Sequence, residues 1–327
     1  MKIGKVPTEI LKEVIFSNIQ HRRSEVLVRP SIGEDCAVVD FEEYVLVMST
    51  DPITGAGKDI GSLAVHISCN DIASNGVAPL GIMLTILAPP NTTKKELALV
   101  MEEANRAAAS VDVEIIGGHT EITDAVNRMV ISSTAIGKQL KKEMTVSSGA
   151  QVGDIVLMTK HAGLEGTAII AGDLEDRLLG KISKETLQRA QDFGKDISVV
   201  KEGVLAGRVG VTSMHDVTEG GILGALWEMA EASNLGIKIE ADKIPIREET
   251  KEICHHLSID PLRLISSGVM AMTVVPSKLA LLMKTLRAEG ILVTQIGTIE
   301  VGERVLLKEN IREELRPPDV DELYKVI

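Results

Sequence analysis

Aromatic residues are nearly missing: one Trp, two Tyr and three Phe make up 2% of 327 residues. A platform that stacks single-stranded bases needs such rings, so that function is excluded. Positive charge is short as well, with 35 Lys and Arg against 47 Asp and Glu and a formal net charge of −12. That balance does not favour a broad phosphate-tracking surface, although it leaves room for a local basic patch, and nucleic acid is not expected as a partner. Cysteine is scarce: Cys36, Cys69 and Cys254 are far apart, with no CxxC pair and no zinc-finger spacing. No apolar run nears the ~20 residues that span a bilayer. Met1–Lys5 lacks the apolar core of a signal peptide. The expectation is a reduced, cytoplasmic protein with no membrane partner.

What remains is an ordinary globular composition, 44% apolar and 25% charged, with a core to be built from Ile, Val, Leu, Ala and Met. At ~150 residues per domain the length allows two. Thr8–Ile19 sets Ile10, Leu11, Val14 and Ile15 on one helical face. Strands are expected at Cys36–Val39, Tyr44–Met48, Leu80–Leu87, Val113–Ile116 and Met129–Ile136. Between them lie a helix from Asp59, as N-cap, to Asn75, and another opened by the capping box Thr93-Lys94-Lys95-Glu96. Periodicity lapses over Met144–Gly153, so residues 1–147 and 148–327 are expected to be separate domains. The second alternates again, and Ile311–Ile327, polar and proline-containing, reads as a surface tail. The fold class is α/β (or α+β), with mixed sheets and packed helices in two domains.

Carboxylates recur beside glycine at the ends of these elements: Asp35 after Gly33-Glu34, Asp51 after a strand, Asp71 after Asn70, and Asp216 after another strand. Gathered in one cleft they would repel each other and need a cation, and hard oxygen ligands suit Mg²⁺. Taken singly, each reads as a cap or turn residue. Thr218-Glu219-Gly220-Gly221 can cradle a phosphate at a helix entry. Its plain alternative is a capping box with Asp216 at N-cap and Glu219 at N3. Thr54-Gly55-Ala56-Gly57-Lys58 lacks P-loop spacing and reads as a glycine-rich loop. Cys254-His255-His256 are helix neighbours that do not face one another, and His66 and Cys69 read as packing residues.

Five segments together resemble the aminoimidazole ribonucleotide synthase superfamily. They are Gly33-Glu34-Asp35-Cys36-Ala37-Val38, Ser49-Thr50-Asp51, Cys69 to Pro79, Gly117-Gly118-His119-Thr120 and His215-Asp216-Val217-Thr218-Glu219-Gly220-Gly221. Their order matches over nearly the whole chain. The segment Asp216 to Gly221 and Pro261-Leu262-Arg263 are most similar to the hydrogenase-maturation branch, HypE. The resemblance implies a homodimer that binds Mg-ATP and moves the γ-phosphate to an oxygen of an acceptor. That acceptor is a small-molecule or protein-borne carbamoyl or amide group, as in hydrogenase-type metal-centre maturation. Carried over by motif, Asp35, Asp51, Asp71 and Asp216 are the metal ligands, and Asp51, Asp71 and Asp216 the catalytic set. Asp35, Asn70, Gly117, Gly118, His119, Thr120, Thr218, Glu219, Gly220 and Gly221 would line the nucleotide.

The departures limit what carries over. Glu34 stands where many relatives have aspartate, and His119 where several have a metal carboxylate, with Glu121 as a stand-in. No thiol between Met1 and Ile32 supports the selenophosphate branch, and no cysteine follows Cys254 to serve as HypE's own tail thiol. Two alternatives stay open: a small-molecule kinase similar to thiamine-monophosphate kinase, and a non-catalytic nucleotide-binding dimer serving a maturation complex. Leu80–Leu87, nearly all apolar, is expected to meet a second copy across a two-fold axis.

Overall fold

The computed structural model describes residues 6–54, 59–309 and 311–327. Met1–Lys5 and most of the segment 54–58 expected to be a glycine-rich loop lie outside them. The first half contributes α1 (Thr8–Ile10), β1 (Val26–Val28), β2 (Ala37–Phe41), β3 (Tyr44–Ile53), α2 (Ile60–Ser74), β4 (Pro79–Ala88), α3 (Lys94–Ser110), β5 (Glu114–Ile122) and β6 (Val130–Leu140). The second contributes β7 (Ile155–Thr159), α4 (Leu164–Asp173), α5 (Glu175–Leu178), α6 (Lys184–Gln191), α7 (Val200–Val209) and β8 (Ser213–Asp216). It continues with α8 (Gly221–Ala232), β9 (Gly236–Glu240), α9 (Glu248–Leu257), β10 (Met270–Val274), α10 (Pro276–Ala288), β11 (Val293–Glu300), β12 (Arg304–Lys308) and β13 (Ile311–Glu314).

The strands form two mixed sheets, β1-β2-β3-β6-β4-β5 and β13-β12-β9-β11-β7-β10-β8. Period-two burial sets the first: along β3, Val45, Val47 and Ser49 point inward while Tyr44 and Thr50 are exposed. In β4, Ile82, Leu84 and Ile86 pack under the helices, and Leu80, Met83 and Thr85 face outward. This strand is internal, flanked by β6 and β5, so the sheet edge is β5 and not the apolar strand itself. The crossover helix α3, opened by the Thr93–Glu96 capping box, makes β4 and β5 the parallel pair. In the second sheet the five residues of β10, all buried, sit between β7 and β8 as an apolar run requires.

Two expectations change. Asp59 sits in the left-handed region at φ 54° with no capping bond, so its side chain does not start α2. The C-terminal stretch is not a loose surface tail. β13 pairs with β12, Leu315 and Leu323 are buried, and Asp321 accepts the N–H groups of Gly220, Ile265 and Leu323.

The halves meet along α2 and α7. A Cβ on Gly203 of α7 would lie 2.2 Å from the Ala73 carbonyl oxygen, so glycine permits this approach. The contact presses the helix carrying Asn70 and Asp71 against the second half, and it is what positions the site.

Candidate active site

Asp35, Asp51, Asp71 and Asp216 come together between the halves, on four different elements. Asp35 sits on the loop before β2. Gly33, at φ 74°, lets that loop lie on α8, because a Cβ there would be 2.8 Å from the Glu228 carbonyl oxygen. Asp51 is near the end of β3, Asp71 is in the last turns of α2, and Asp216 ends β8. Ligand atoms of Asp35, His215 and Asp216 lie within 4.8 Å of one another.

Buried like charges shape the electrostatics. Burial, then the charges of Asp216 and Asp51, hold the Asp71 carboxyl well above the usual carboxylate range. Ser49 Oγ donates to Asp71 Oδ2 at 2.5 Å and fixes its orientation. Burial, then Asp35, raises Asp216 to about 8. Neither Asp216 oxygen has a hydrogen-bond partner among the described residues, although the side chain is almost wholly buried. The Cys36 thiol, which donates to the Asp71 carbonyl at 3.1 Å, is pushed up by burial and then by all four carboxylates. That thiol is therefore no nucleophile.

Among the described residues, His215 is the cationic side chain grouped with these carboxylates. Burial opposes its charge, but Asp35, Glu228 and Asp216 outweigh burial and raise it to about 10. Its Nδ1 lies 3.4 Å from Asp35 Oδ2 and its Nε2 3.2 Å from Glu228 Oε2. One imidazolium does not balance these carboxylates. The surplus of hard oxygen donors, with two buried and unpartnered on Asp216, fits a divalent cation such as Mg²⁺.

Sequence reasoning passed over His215, Glu228 and Ser49 as site residues. Glu228 had a signal: it is the one charged side chain in the apolar run Ile222–Ala230 of α8. Other expectations are corrected. Asp216 is not a cap, since the N-cap of α8 is Gly220. The Thr218–Gly221 turn is not an open phosphate cradle. The N–H of Gly220 donates to Asp321, that of Gly221 to the Thr218 carbonyl, and that of Leu223 to the Leu262 carbonyl. Glu219 instead lines a cavity beside the cluster.

Asn70 is fully buried with both ends of its amide bonded to backbone, so it does not face a ligand. Gly117, Gly118, His119 and Thr120 lie on the exposed edge strand β5. Gly118 pairs with Leu84, Leu84 with Ser133 and Ser133 with Asp51, which sets it three strand spacings, roughly 14 Å, from Asp51. His119, the next residue along, turns to the opposite face and sits 3.5 Å from Glu121. Neither replaces a carboxylate in the cluster.

Comparison with known proteins agrees with this architecture. Residues 33–139 match the N-terminal domain of AIR synthase related proteins, and residues 151–308 match the C-terminal domain. The chain is 31% identical over 279 residues to a putative hydrogenase expression/formation protein of Methanocaldococcus jannaschii, covering 83% of this chain and 80% of that one. It is 30% identical to carbamoyl dehydratase HypE of Bradyrhizobium diazoefficiens, covering 78% and 74%. A crystal structure of HypE in complex with ATP shares the fold at TM-score 0.73 and 21% identity, covering 98% and 97%. The chain belongs to the AIR synthase related family, alongside the HypE hydrogenase-maturation proteins.

Proposed function

We propose that this chain is an ATP-using enzyme that transfers the γ-phosphoryl group to an oxygen of a carbamoyl or amide acceptor. Asp216 carries the reading, a carboxylate brought from the second half with two buried, unpartnered oxygens beside Asp35, Asp51 and Asp71. These four aspartates would hold Mg²⁺, which when bound neutralises charge on the polyphosphate. Phosphoryl transfer asks the protein chiefly for position and charge, and Ser49 and His215 orient Asp71 and Asp35 to that end.

The cavity beside the cluster, about 400 Å³ in volume, supports this acceptor class. Its lining includes Glu34, Asp35, Glu219, Glu228, Asp319 and Asp321, and no Lys or Arg among the described residues. An uncharged group rich in N–H donors fits such walls, and a phosphate monoester of the kinase type does not. The relatives named carbamoyl dehydratases support the same choice. Cys36, Cys69 and Cys254 are all buried, so none of these thiols meets the nucleotide.

Mg-ATP at a hundredfold excess over Kd stabilises the folded state by about 2.7 kcal/mol, so the melting temperature rises and EDTA abolishes the rise. Absence of any shift at millimolar Mg-ATP overturns the assignment. Shift without turnover in the presence of carbamoyl acceptors returns the non-catalytic binding dimer.

The assembly we infer is a homodimer through the outer face of the first sheet. Leu80, Met83 and Ile116 are exposed there, and isologous pairing buries both copies. Light scattering should report a mass near 70 kDa, twice the 35.1 kDa chain, and Met83→Glu should halve it.

A further inference from the structure

The connection from Asp196 to Val199, which leads into α7, is gripped from both halves of the molecule. From the first half, Asn70 donates its side-chain N–H to the Ile197 carbonyl at 2.8 Å. The same amide accepts the Val199 N–H at 2.8 Å. From the second, Lys160 Nζ donates to the Asp196 carbonyl at 2.9 Å and to the Ser198 carbonyl at 2.6 Å. Three successive carbonyls are thus bound alternately from opposite sides. Lys160 is itself held by the buried Glu202 of α7 at 2.9 Å. Gly268, at φ 102°, lies so close that a Cβ would be 2.5 Å from the Asp196 carbonyl oxygen. Nothing in this arrangement reaches the cavity, yet Asn70 adjoins Asp71 in the same helical turn.

We propose that Asn70 is a positioning residue: with Lys160 it clamps the 196–199 connection and so fixes Asp71 of one half against Asp216 of the other. A four-carboxylate site split between two halves keeps its cation affinity only while that relative position is fixed, since ligand number and geometry set the affinity. This rests on the reading that the four aspartates hold a divalent cation, and the test separates the two.

Two quantities are measured on the full chain, well below its melting temperature. One is Mn²⁺ binding by calorimetry, with the metal alone as probe. The other is the maleimide labelling rate of Cys36 in a Cys69→Ala/Cys254→Ala background, which reads the packing around Asp71 with no metal present. Asn70→Ala should weaken Mn²⁺ binding at least tenfold and speed labelling by a similar factor. Lys160→Met should act in the same direction on both. Simple electrostatics gives it the opposite sign for the metal, since removing a cation near carboxylates favours another cation. Leu286→Ala, a core truncation in α10, should lower stability and leave both readouts within twofold. Wild-type Mn²⁺ affinity and labelling in Asn70→Ala overturn the clamp, as does an equal change in Leu286→Ala. If the wild type binds no Mn²⁺, the metal reading falls and the labelling rates alone decide the clamp.

Discussion

Asp216 and Asp321 are both buried aspartates of the second half, and they are held in opposite ways. Asp321 accepts three backbone N–H groups, from Gly220, Ile265 and Leu323. Burial raises it only to about 6, because those donors pull the other way. Asp216 has no such donor, and burial with Asp35 beside it leaves the carboxyl at about 8. A buried carboxylate surrounded by N–H groups is a latch, here tying the C-terminal stretch to the start of α8. One without backbone donors is a cost that folding does not offset, and it is where the function proposed above puts the cation.

The largest expected effect breaks the latch. Asp321→Ala leaves three buried N–H groups unpaired at ~1–3 kcal/mol each, so about 4 kcal/mol in all after relaxation. Thermal unfolding should then begin roughly 10 °C lower. Asp216→Asn should do the reverse: the fold is kept or stabilised, because the neutral amide replaces a carboxyl that folding keeps from ionising. What it should lose is the ligand effect, the roughly 2.7 kcal/mol of Mg-ATP stabilisation expected at a hundredfold excess. An Asp216→Asn protein that melts early and still responds to Mg-ATP would assign Asp216 to the latch class.

Acidity sharpens the contrast next. Between 3.8 and about 8 the folded chain keeps a proton on Asp216 that the unfolded chain has released. Stability of the metal-free protein therefore falls as pH rises through that window and levels above it. His215 adds a slope of the same sign: its contribution is whole below 6.5 and lost as pH rises through about 10. Each proton held only by the folded state is worth about 1.4 kcal/mol per pH unit. Urea denaturation from pH 5 to 9 should show the decline without metal, and Asp216→Asn should flatten its lower part. Stability that climbs over this range without metal contradicts the buried-charge account.

The same contrast says what a sequence can show. Asp35, Asp51, Asp71 and Asp216 stand at or near element ends within recognisable motifs, and this local pattern, joined to the family resemblance, was enough to gather them. The alternation of strand and helix was legible for a like reason, since burial with period 2 or 3.6 is written within a few residues. Asp321 was not legible, because its partner Gly220 is 101 residues away in sequence. Leu315 and Leu323, eight residues apart in a polar stretch, were too sparse to mark the tail as packed. Glycines misled where conformation alone explains them. Gly118, at φ 149°, would place a Cβ 2.0 Å from the Leu84 carbonyl oxygen, so close pairing of β4 and β5 already demands it.

The smallest expected effect concerns Glu165, which lies between the two extremes. It is buried at the start of α4 and accepts one backbone N–H, from Ser267 at 3.3 Å. Burial raises it to about 7, with Ser267 pulling down. At pH 6 the folded protein holds it mostly as the neutral acid while the unfolded chain has already released that proton, so Glu165→Gln, which carries no proton to release, should already be the more stable. At pH 9 the wild-type carboxylate is ionised in the fold as well, with only Ser267 to hold it, and the advantage of the amide should have grown by about 1 kcal/mol over its value at pH 6. The sign follows from the raised value: the wild type loses stability as pH rises to about 7, and the variant does not. Paired melting curves at the two pH values decide it. Equal loss at both would mean that the Glu165 charge is held as firmly as that of Asp321, and that a single N–H suffices to make a latch.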